Sequence, residues 1–392
     1  MGIKFLITNN LGNWLEGCRK VEVKPTGLAR LLDTTSNKVQ SSKQLHDAHL
    51  SGGTAAALVE YDLKRKEPVI VTVENARLAC VSLPTPNGEL EEHYYFVNER
   101  GEWLTENPFL ACYQYWFYDV ERSHAGGNDY MGSTRYAIKE ISYDTQELKS
   151  AIFLGGRMNW THWNIDCLPE LLIINPEKKD ILITSKLTPW QIDSLKFFSI
   201  NNYRRLQISN GDGISISTFK QLTFSWNFHQ IDRFFFLRNK IKSQSAHVCD
   251  QPEIPLLLPD LSHNARIQRI INSQEIIDCA RKYCPMIVTP SKMSYSEKKS
   301  VYGLARNIVT LPGSDSINAL LFGKDDASIF QMMPWPNNLF NISMYSLIIA
   351  YRQMAYQSYF KVNTYFGYSR DSNTNFDNPR YYPPEKLDQL MR

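Results

Sequence analysis

The sequence predicts an α/β protein: two Rossmann-like domains facing one cleft, preceded by a β-rich section. Three observations carry this expectation. From about residue 151, short apolar runs alternate with amphipathic stretches, as parallel strands joined by right-handed helical crossovers would. The alternation stops at the polar, proline-bearing segment Ser243–Pro255 and then restarts, which places a linker there. Before residue 145 the chain instead shows short β-type runs separated by turn residues. The expected division is 1–145 for a β-rich section packed on the first domain, 146–245 for the first domain, 246–345 for the second, and 346–392 for a tail with a terminal helix.

In the β-rich section the strand candidates are Val69–Val73, just after Pro68, and His93–Val97, separated by a turn containing Pro84, Pro86, Asn87 and Gly88. The first domain reads as strand Ala151–Leu154, helix Trp163–Ile174, strand Asp180–Thr184 and helix Pro189–Phe198. The second reads as strand Ile254–Leu258, helix Ser273–Tyr283, strand Met286–Thr289, helix Tyr295–Ala305, strand Asn307–Leu311, a short helix and strand Ser328–Met332. The proline pair Pro383-Pro384 opens the terminal helix, since proline suits a first helical turn. Sheets of this kind bind ligands beyond the carboxyl ends of their strands, where helix N-termini offer N–H groups to anions.

Composition narrows the function. With 43% hydrophobic and 21% charged residues the chain is a folded globular protein. Forty-three Lys and Arg against forty Asp and Glu leave +3, too little for a general nucleic-acid binder. Seven cysteines, an odd number without CxxC spacing, indicate neither a disulfide framework nor a zinc ribbon and suit a reducing compartment. The start, MGIKFLITNN, lacks the apolar region of a secretory signal, and Leu6 stands where myristoylation expects Ser or Thr. No run approaches the roughly 18 apolar residues of a membrane span. A cytoplasmic protein is expected, with the inner face of the cell membrane as an alternative station. The basic, aromatic stretch Asp232–Lys242 reads either as an interdomain helix with phenylalanines in the core or as a peripheral contact with anionic lipid.

Missing motifs narrow it further. There is no GxxxxGK[ST] and no GxSxG, and Gly211-Asp-Gly213 does not continue as GxGxxG. His46 and His49 have no third ligand at useful spacing. Asp119-Val-Glu121 and the pair Asp325, Asp326 come nearest to a divalent-ion motif and read as solvated loops, so no metal is expected.

The most informative segment is Gly155-Gly-Arg-Met-Asn-Trp-Thr-His-Trp-Asn-Ile-Asp-Cys-Leu-Pro-Glu170. It offers a strand end, Gly156, Asn159, and a helix carrying His162 and Asp166 at i and i+4, one turn apart on one face. That spacing suits an acid–base pair, with one group taking a proton from a hydroxyl and the other orienting it. It equally suits a helix brace, with Trp160, Trp163 and Leu168 packing the core.

The run Asn159-x-x-His162-Trp163-x-x-Asp166-x-Leu168-Pro169 resembles the signature of glycosyltransferase family 61, found among bacterial capsule and lipopolysaccharide enzymes. Further pieces are similar in order and spacing to that family's C-terminal half: Arg266-x-x-Arg269-Ile-Ile-Asn272-x-x-Glu275, Met293–Glu297, Ala305–Val309 and Pro312–Phe322. The resemblance covers about 150–335, with a looser echo around Val69–Gly101. It implies a GT-B fold, an acceptor held by the first domain and a nucleoside-diphosphate sugar held by the second. No cofactor or metal is implied. The implied activity is inverting transfer to a hydroxyl of an oligosaccharide or lipid-linked saccharide. On this resemblance Asp166 is the general base, with His162 as the alternative, and Gly156, Asn159 and Trp163 lie on the acceptor side. Arg266 and Arg269 would meet the leaving diphosphate, for which guanidinium donors are well shaped. Gly313, Ser314 and Asn318, at the start of a helix, and Gln331 on the next strand complete the donor side.

The chain departs from the family's pattern at three places. Pro312-Gly313-Ser314 stands for His-Gly-Ala, Gln331 for an acidic residue that often meets ribose, and Leu258-Pro259-Asp260 for Ile-Ser-Arg. These departures leave open an unusual donor or lost transfer, the latter giving a non-catalytic saccharide- or nucleotide-binding subunit of a glycan assembly complex. A GT-B-like sugar-nucleotide epimerase is a third reading.

Overall fold

The computed structural model describes residues 6–8, 11–25, 69–84, 90–104, 142–143, 148–155, 160–177, 180–184, 187–200, 204–206, 212–223, 229–244, 252–261, 270–311, 314–334, 360–367 and 381–391. The protein is α/β, and its chain divides into two compact units: residues 1–29 with 65–230, and residues 30–64 with 231–392.

The first unit contains β1 (Leu6–Thr8), α1 (Leu11–Glu16), β2 (Val21–Pro25), β3 (Val69–Pro84), β4 (Leu90–Val97), β5 (Glu102–Leu104), β6 (Ser142–Tyr143) and β7 (Ala151–Gly155). The helical rod α2 follows, as Trp160–His162, a π-helical turn Trp163–Cys167 and Leu168–Ile174. Then come β8 (Ile181–Thr184), α3 (Pro189–Phe197), β9 (Arg204–Leu206) and β10 (Asp212–Thr223). Its sheet runs β1-β5-β4-β3-β10-β7-β8-β9, with β2 on β3 and β6 on β10. The β-rich section is thus hydrogen-bonded into the same sheet as the βα strands, across the antiparallel β3–β10 pair. Phe96, Phe153 and Phe219, from β4, β7 and β10, meet in the core under that seam, with ring centroids 5.6 and 4.8 Å from Phe96. On the other side of the seam β10, β7, β8 and β9 run parallel. The sequence order reverses between β7 and β10, the kind of point at which open sheets bind ligands.

β10 was not expected from the sequence. Its register against β3 is the same on both sides of Ser217 and Asn75, which stand opposite each other outside the paired positions, and Asn75 takes a left-handed φ of 56° there. The buried positions pass from Ile214 and Ile216 to Phe219 across that point, which breaks the period-two pattern.

The second unit contains most of α4 (His229–Ser243), β11 (Leu256–Pro259), α5 (Ser273–Ala280), β12 (Pro285–Val288), α6 (Tyr295–Leu304), β13 (Asn307–Thr310), α7 (Ser314–Phe322), β14 (Ala327–Pro334), β15 (Phe360–Gly367) and α8 (Pro384–Met391). All five strands are parallel, in the order β12-β11-β13-β14-β15. Renumbered from the first, this is 2-1-3-4-5, a doubly wound order whose switch point falls between β11 and β13. One face of the sheet (Leu256, Leu258, Val309, Leu311, Phe330, Met332) is buried with Ile276 and Ala280 of α5 and Leu387 of α8. Helices α6 and α7 take no part in that core and pack on one another, Tyr295 and Tyr302 against Phe322. α6 starts where it does because Ser294 and Glu297 cap each other: the serine Oγ accepts the Glu297 N–H and the carboxylate accepts the Ser294 N–H at 2.7 Å.

Two expectations need correction. The division falls at 230/231, not near 245, because α4 goes with the second unit. Its Arg238 is buried and donates to the Leu320 and Gly323 carbonyls at the end of α7, at 2.7 and 2.6 Å, and to Asp325 at 2.9 Å. Residues 346–392 are also more than a tail with a terminal helix, since β15 extends the second sheet beside β14.

Candidate functional site

In the first unit the candidate residues follow the carboxyl end of β7, beside β10, where the strand order reverses. Gly156 and Asn159 lie outside the described residues, as do the side chains of His162 and Asp166. The backbone places His162 at the end of the first α-helical turn and Asp166 inside the π turn. That turn has a cause in the sequence. Pro169 has no N–H for the Ile165 carbonyl, and its ring crowds that carbonyl, so an unbroken α-helix is disfavoured over the residues before it.

Trp163 packs in the core. It is fully buried, and its indole N–H donates to Ser194 Oγ at 2.8 Å, which fixes the rod on α3. Ser194 in turn donates to the Gln191 carbonyl, and the Gln191 side chain accepts the Thr188 N–H at 2.7 Å, locking α2 onto α3. Leu168 is equally buried. The structural half of the two readings of this segment is therefore correct for Trp163 and Leu168. Trp160 and Trp190, both half-buried, meet at 5.2 Å, and the Trp190 ring stands edge-on to Trp163 at 6.2 Å. Glu170, a buried carboxyl on the same rod, had not been singled out in the sequence.

In the second unit Arg266, Arg269, Pro312 and Gly313, and the side chain of Ser314, lie outside the described residues, as do His46, His49, Asp119 and Glu121. Ser314 opens α7, whose first turn is tied to the sheet by Ser316 Oγ donating to the Leu311 carbonyl at 2.7 Å. Asn318 and Gln331 are 2% and 1% exposed. Gln331 lies in the sheet between Thr310 of β13 and Thr364 of β15. Among the described residues no hydrogen-bond partner reaches either atom of its amide, the Thr310 hydroxyl or Asn318 Oδ1. Thr310 was missed in the sequence because a threonine at a strand end is ordinary. The available signal was a polar residue closing two neighbouring apolar strands at matched register.

The carboxyl end of β11 carries Asp260, which accepts from the Thr289 hydroxyl at 3.5 Å. Asp315 sits in the first turn of α7, and Tyr302 bonds Asn318. Burial, and then the Asp315 charge, push the Tyr302 phenol far above its ordinary range. Asn272 is a clamp: it donates to the Tyr382 carbonyl at 2.8 Å and accepts the Tyr382 N–H at 3.0 Å. Asp325 is held by Arg238 and Lys242. Among the described residues no His, Cys, Asp and Glu cluster could hold a metal ion, and no helix is long and apolar enough to cross a membrane.

No family model and no curated protein matches this chain.

Proposed function

We propose that the protein is an inverting, metal-independent glycosyltransferase of GT-B type, moving a sugar from a nucleoside-diphosphate carrier to a hydroxyl of a growing bacterial surface polysaccharide. The observation that supports it most is that, among the described residues, His162 and Asp166 follow the carboxyl end of β7 and Ser314 follows that of β13, each strand lying beside a reversal of strand order. In this reading Asp166, or else His162, takes the proton of the acceptor hydroxyl. Arg266 and Arg269 with the N–H groups opening α7 stabilise the departing diphosphate. Asn318 and Gln331 meet the uncharged part of the donor. The reaction would take place on the cytoplasmic side, with a lipid-linked or free oligosaccharide as acceptor.

The carboxylates Asp260 and Asp315 near the donor-side strand ends favour keeping a second reading, a non-catalytic saccharide- or nucleotide-binding subunit. Calorimetry with a panel of nucleotide sugars, paired with a turnover assay, separates the two. Transfer by the wild-type chain, abolished in Asp166→Asn with donor binding retained, supports the enzyme. Saccharide binding without nucleotide affinity supports the subunit, and full activity of Asp166→Asn removes that residue from the mechanism.

A further inference from the structure

We propose that Trp160 and Trp190 form an aromatic shelf that holds one pyranose ring of the saccharide acceptor by its C–H face, so that the acceptor is recognised through its sugar and not through a lipid chain. The inference rests on the transferase reading and deepens its acceptor side with two side chains that the sequence had not assigned to it.

Placement comes from the parallel strands. Trp160 opens α2 beyond the carboxyl end of β7, and Trp190 is the second residue of α3 beyond the carboxyl end of β8, the neighbouring strand. Both therefore stand at the edge where open α/β sheets bind ligands, and Trp160 belongs to the rod that carries His162 and Asp166. Four tryptophans have described side chains. Trp14 and Trp163 are fully buried, whereas Trp160 and Trp190 each keep part of their surface in solvent, beside the exposed Pro189. The two that are open are also the two that meet, with centroids 5.2 Å apart and planes at 60°. Behind them Trp163, fixed by Ser194, lies 6.2 Å from Trp190 at 86°, which holds the Trp190 ring in place before a ligand arrives.

The chemistry of the pair selects the occupant. The indole nitrogen of Trp160 is buried, so the part of its ring open to solvent is carbon. A carbon π face attracts the polarised C–H bonds that cover one face of a pyranose, and it leaves the hydroxyls around the sugar's rim to water and polar side chains. Polar residues border the pair: Thr161 on α2, Thr188 before α3 and Asp193 within it, all half-buried. A lipid chain would need the apolar surface to continue there, whereas a sugar needs it under one ring only. Rigid rings held in advance also lose little conformational freedom on binding.

The test uses the full chain. An array of bacterial surface oligosaccharides selects the best-bound saccharide. Its affinity, and those of UDP, GDP and undecaprenyl phosphate in detergent micelles, are then measured for the wild type, Trp160→Leu, Trp190→Leu, Trp160→Phe and Trp190→Phe. Each leucine variant is expected to lose about tenfold against the oligosaccharide, the value of one aromatic contact, with nucleotide affinity unchanged, and each phenylalanine variant to recover most of that loss. In the wild-type chain labelled with 5-fluorotryptophan, the fluorine resonances of Trp160 and Trp190, assigned through the phenylalanine variants, are expected to shift on saturation with the oligosaccharide. This readout decides the matter where a leucine variant does not fold. Unmoved resonances, or leucine variants that bind the oligosaccharide as the wild type does, overturn the inference. An equal loss for oligosaccharide and nucleotides marks a packing role and overturns it too, as does a response to undecaprenyl phosphate alone. A wild-type chain that binds a nucleotide but no oligosaccharide overturns the inference and leaves the donor half of the transferase reading standing. One that binds neither removes both.

Discussion

Replacing Arg238 with Met tests how α4 and α7 are joined. The guanidinium is fully buried and gives two of its hydrogen bonds to the Leu320 and Gly323 carbonyls, which close the C-terminal end of α7. A cation there also opposes the negative end of the helix dipole. Methionine keeps most of the aliphatic stem, so packing changes little, but both carbonyls lose their donor. Each buried acceptor left without a partner costs about 1–3 kcal/mol, so the two together give a loss of roughly 2–6 kcal/mol. The third partner, Asp325, is 58% exposed on its side chain, so its ion pair adds little once solvent screening is counted. The assay exploits the tryptophans: of the eight, only Trp335 belongs to the second unit. In urea, indole fluorescence therefore reports mainly the first unit, whereas far-UV circular dichroism reports both. Arg238→Met is expected to bring part of the dichroism transition to lower urea while the fluorescence midpoint stays in place. A second-unit loss below about 0.5 kcal/mol, the scatter of ordinary surface substitutions, would refute the assigned role.

In Gly17→Ala the new Cβ would lie 2.0 Å from Asn98 Nδ2, and Asn98 is held by the Trp14 carbonyl at 2.9 Å and by Glu102; a loss of about 1–3 kcal/mol in the fluorescence transition is expected, and an unmoved midpoint would refute it. Burial alone would raise the Asp180 pKa, but hydrogen bonds from Ser150 and the Glu177 N–H, with the Lys220 charge, outweigh it and hold the carboxyl below its ordinary range. Its contribution to stability is therefore complete above about pH 4 and lost as pH falls through its depressed value; Asp180→Asn is expected to be less stable at neutral pH and to lose that part of the acid dependence, and parallel profiles would disprove the assignment. Arg266→Ala and Arg269→Ala are expected to weaken pyrophosphate and nucleoside diphosphates by similar factors, whereas an unchanged pyrophosphate affinity would take them out of phosphate recognition.

Where apolar runs were short and unbroken, the fold was legible: β7, β8, β13 and β14 lie within a residue or two of their expected positions. Other elements were hidden by particular physical causes. β10 changes its phase of burial between Ile216 and Phe219, and β15 is separated from β14 by 25 residues, so its pairing leaves no local trace. The unit boundary was misplaced because Arg238 looks like a surface charge in the sequence and only its three acceptors explain why it is buried. Pro169 did announce the π turn, but the α-helical period was carried through it. For the candidate site, spacing alone did not show whether Trp163 packs in the core. That distinction for Trp163 came from Ser194, thirty-one positions away.

The charge balance of the second unit gives the site its remaining logic. Several described cations there are already engaged: Arg238 and Lys242 with Asp325, Arg281 with Asp278, Lys282 with Asp388, and Lys324 with Glu253. After β11, at the end of β13, in β14 and in the first turns of α7 stand the acidic or neutral Asp260, Thr310, Gln331, Asp315 and Asn318, while Lys292 and Lys298 follow β12. An anionic ligand placed beside Asp260 and Asp315 would meet repulsion from both carboxylates, which in the donor reading Arg266 and Arg269 offset. Recognition of the charged and the uncharged halves of a ligand would then fall to different residues, arginines for the phosphate and neutral amides for the hydroxyls. Gln331 fits that division. A carboxylate in its place would add a third negative charge beside Asp260 and Asp315, whereas an amide accepts a hydrogen bond without that repulsion.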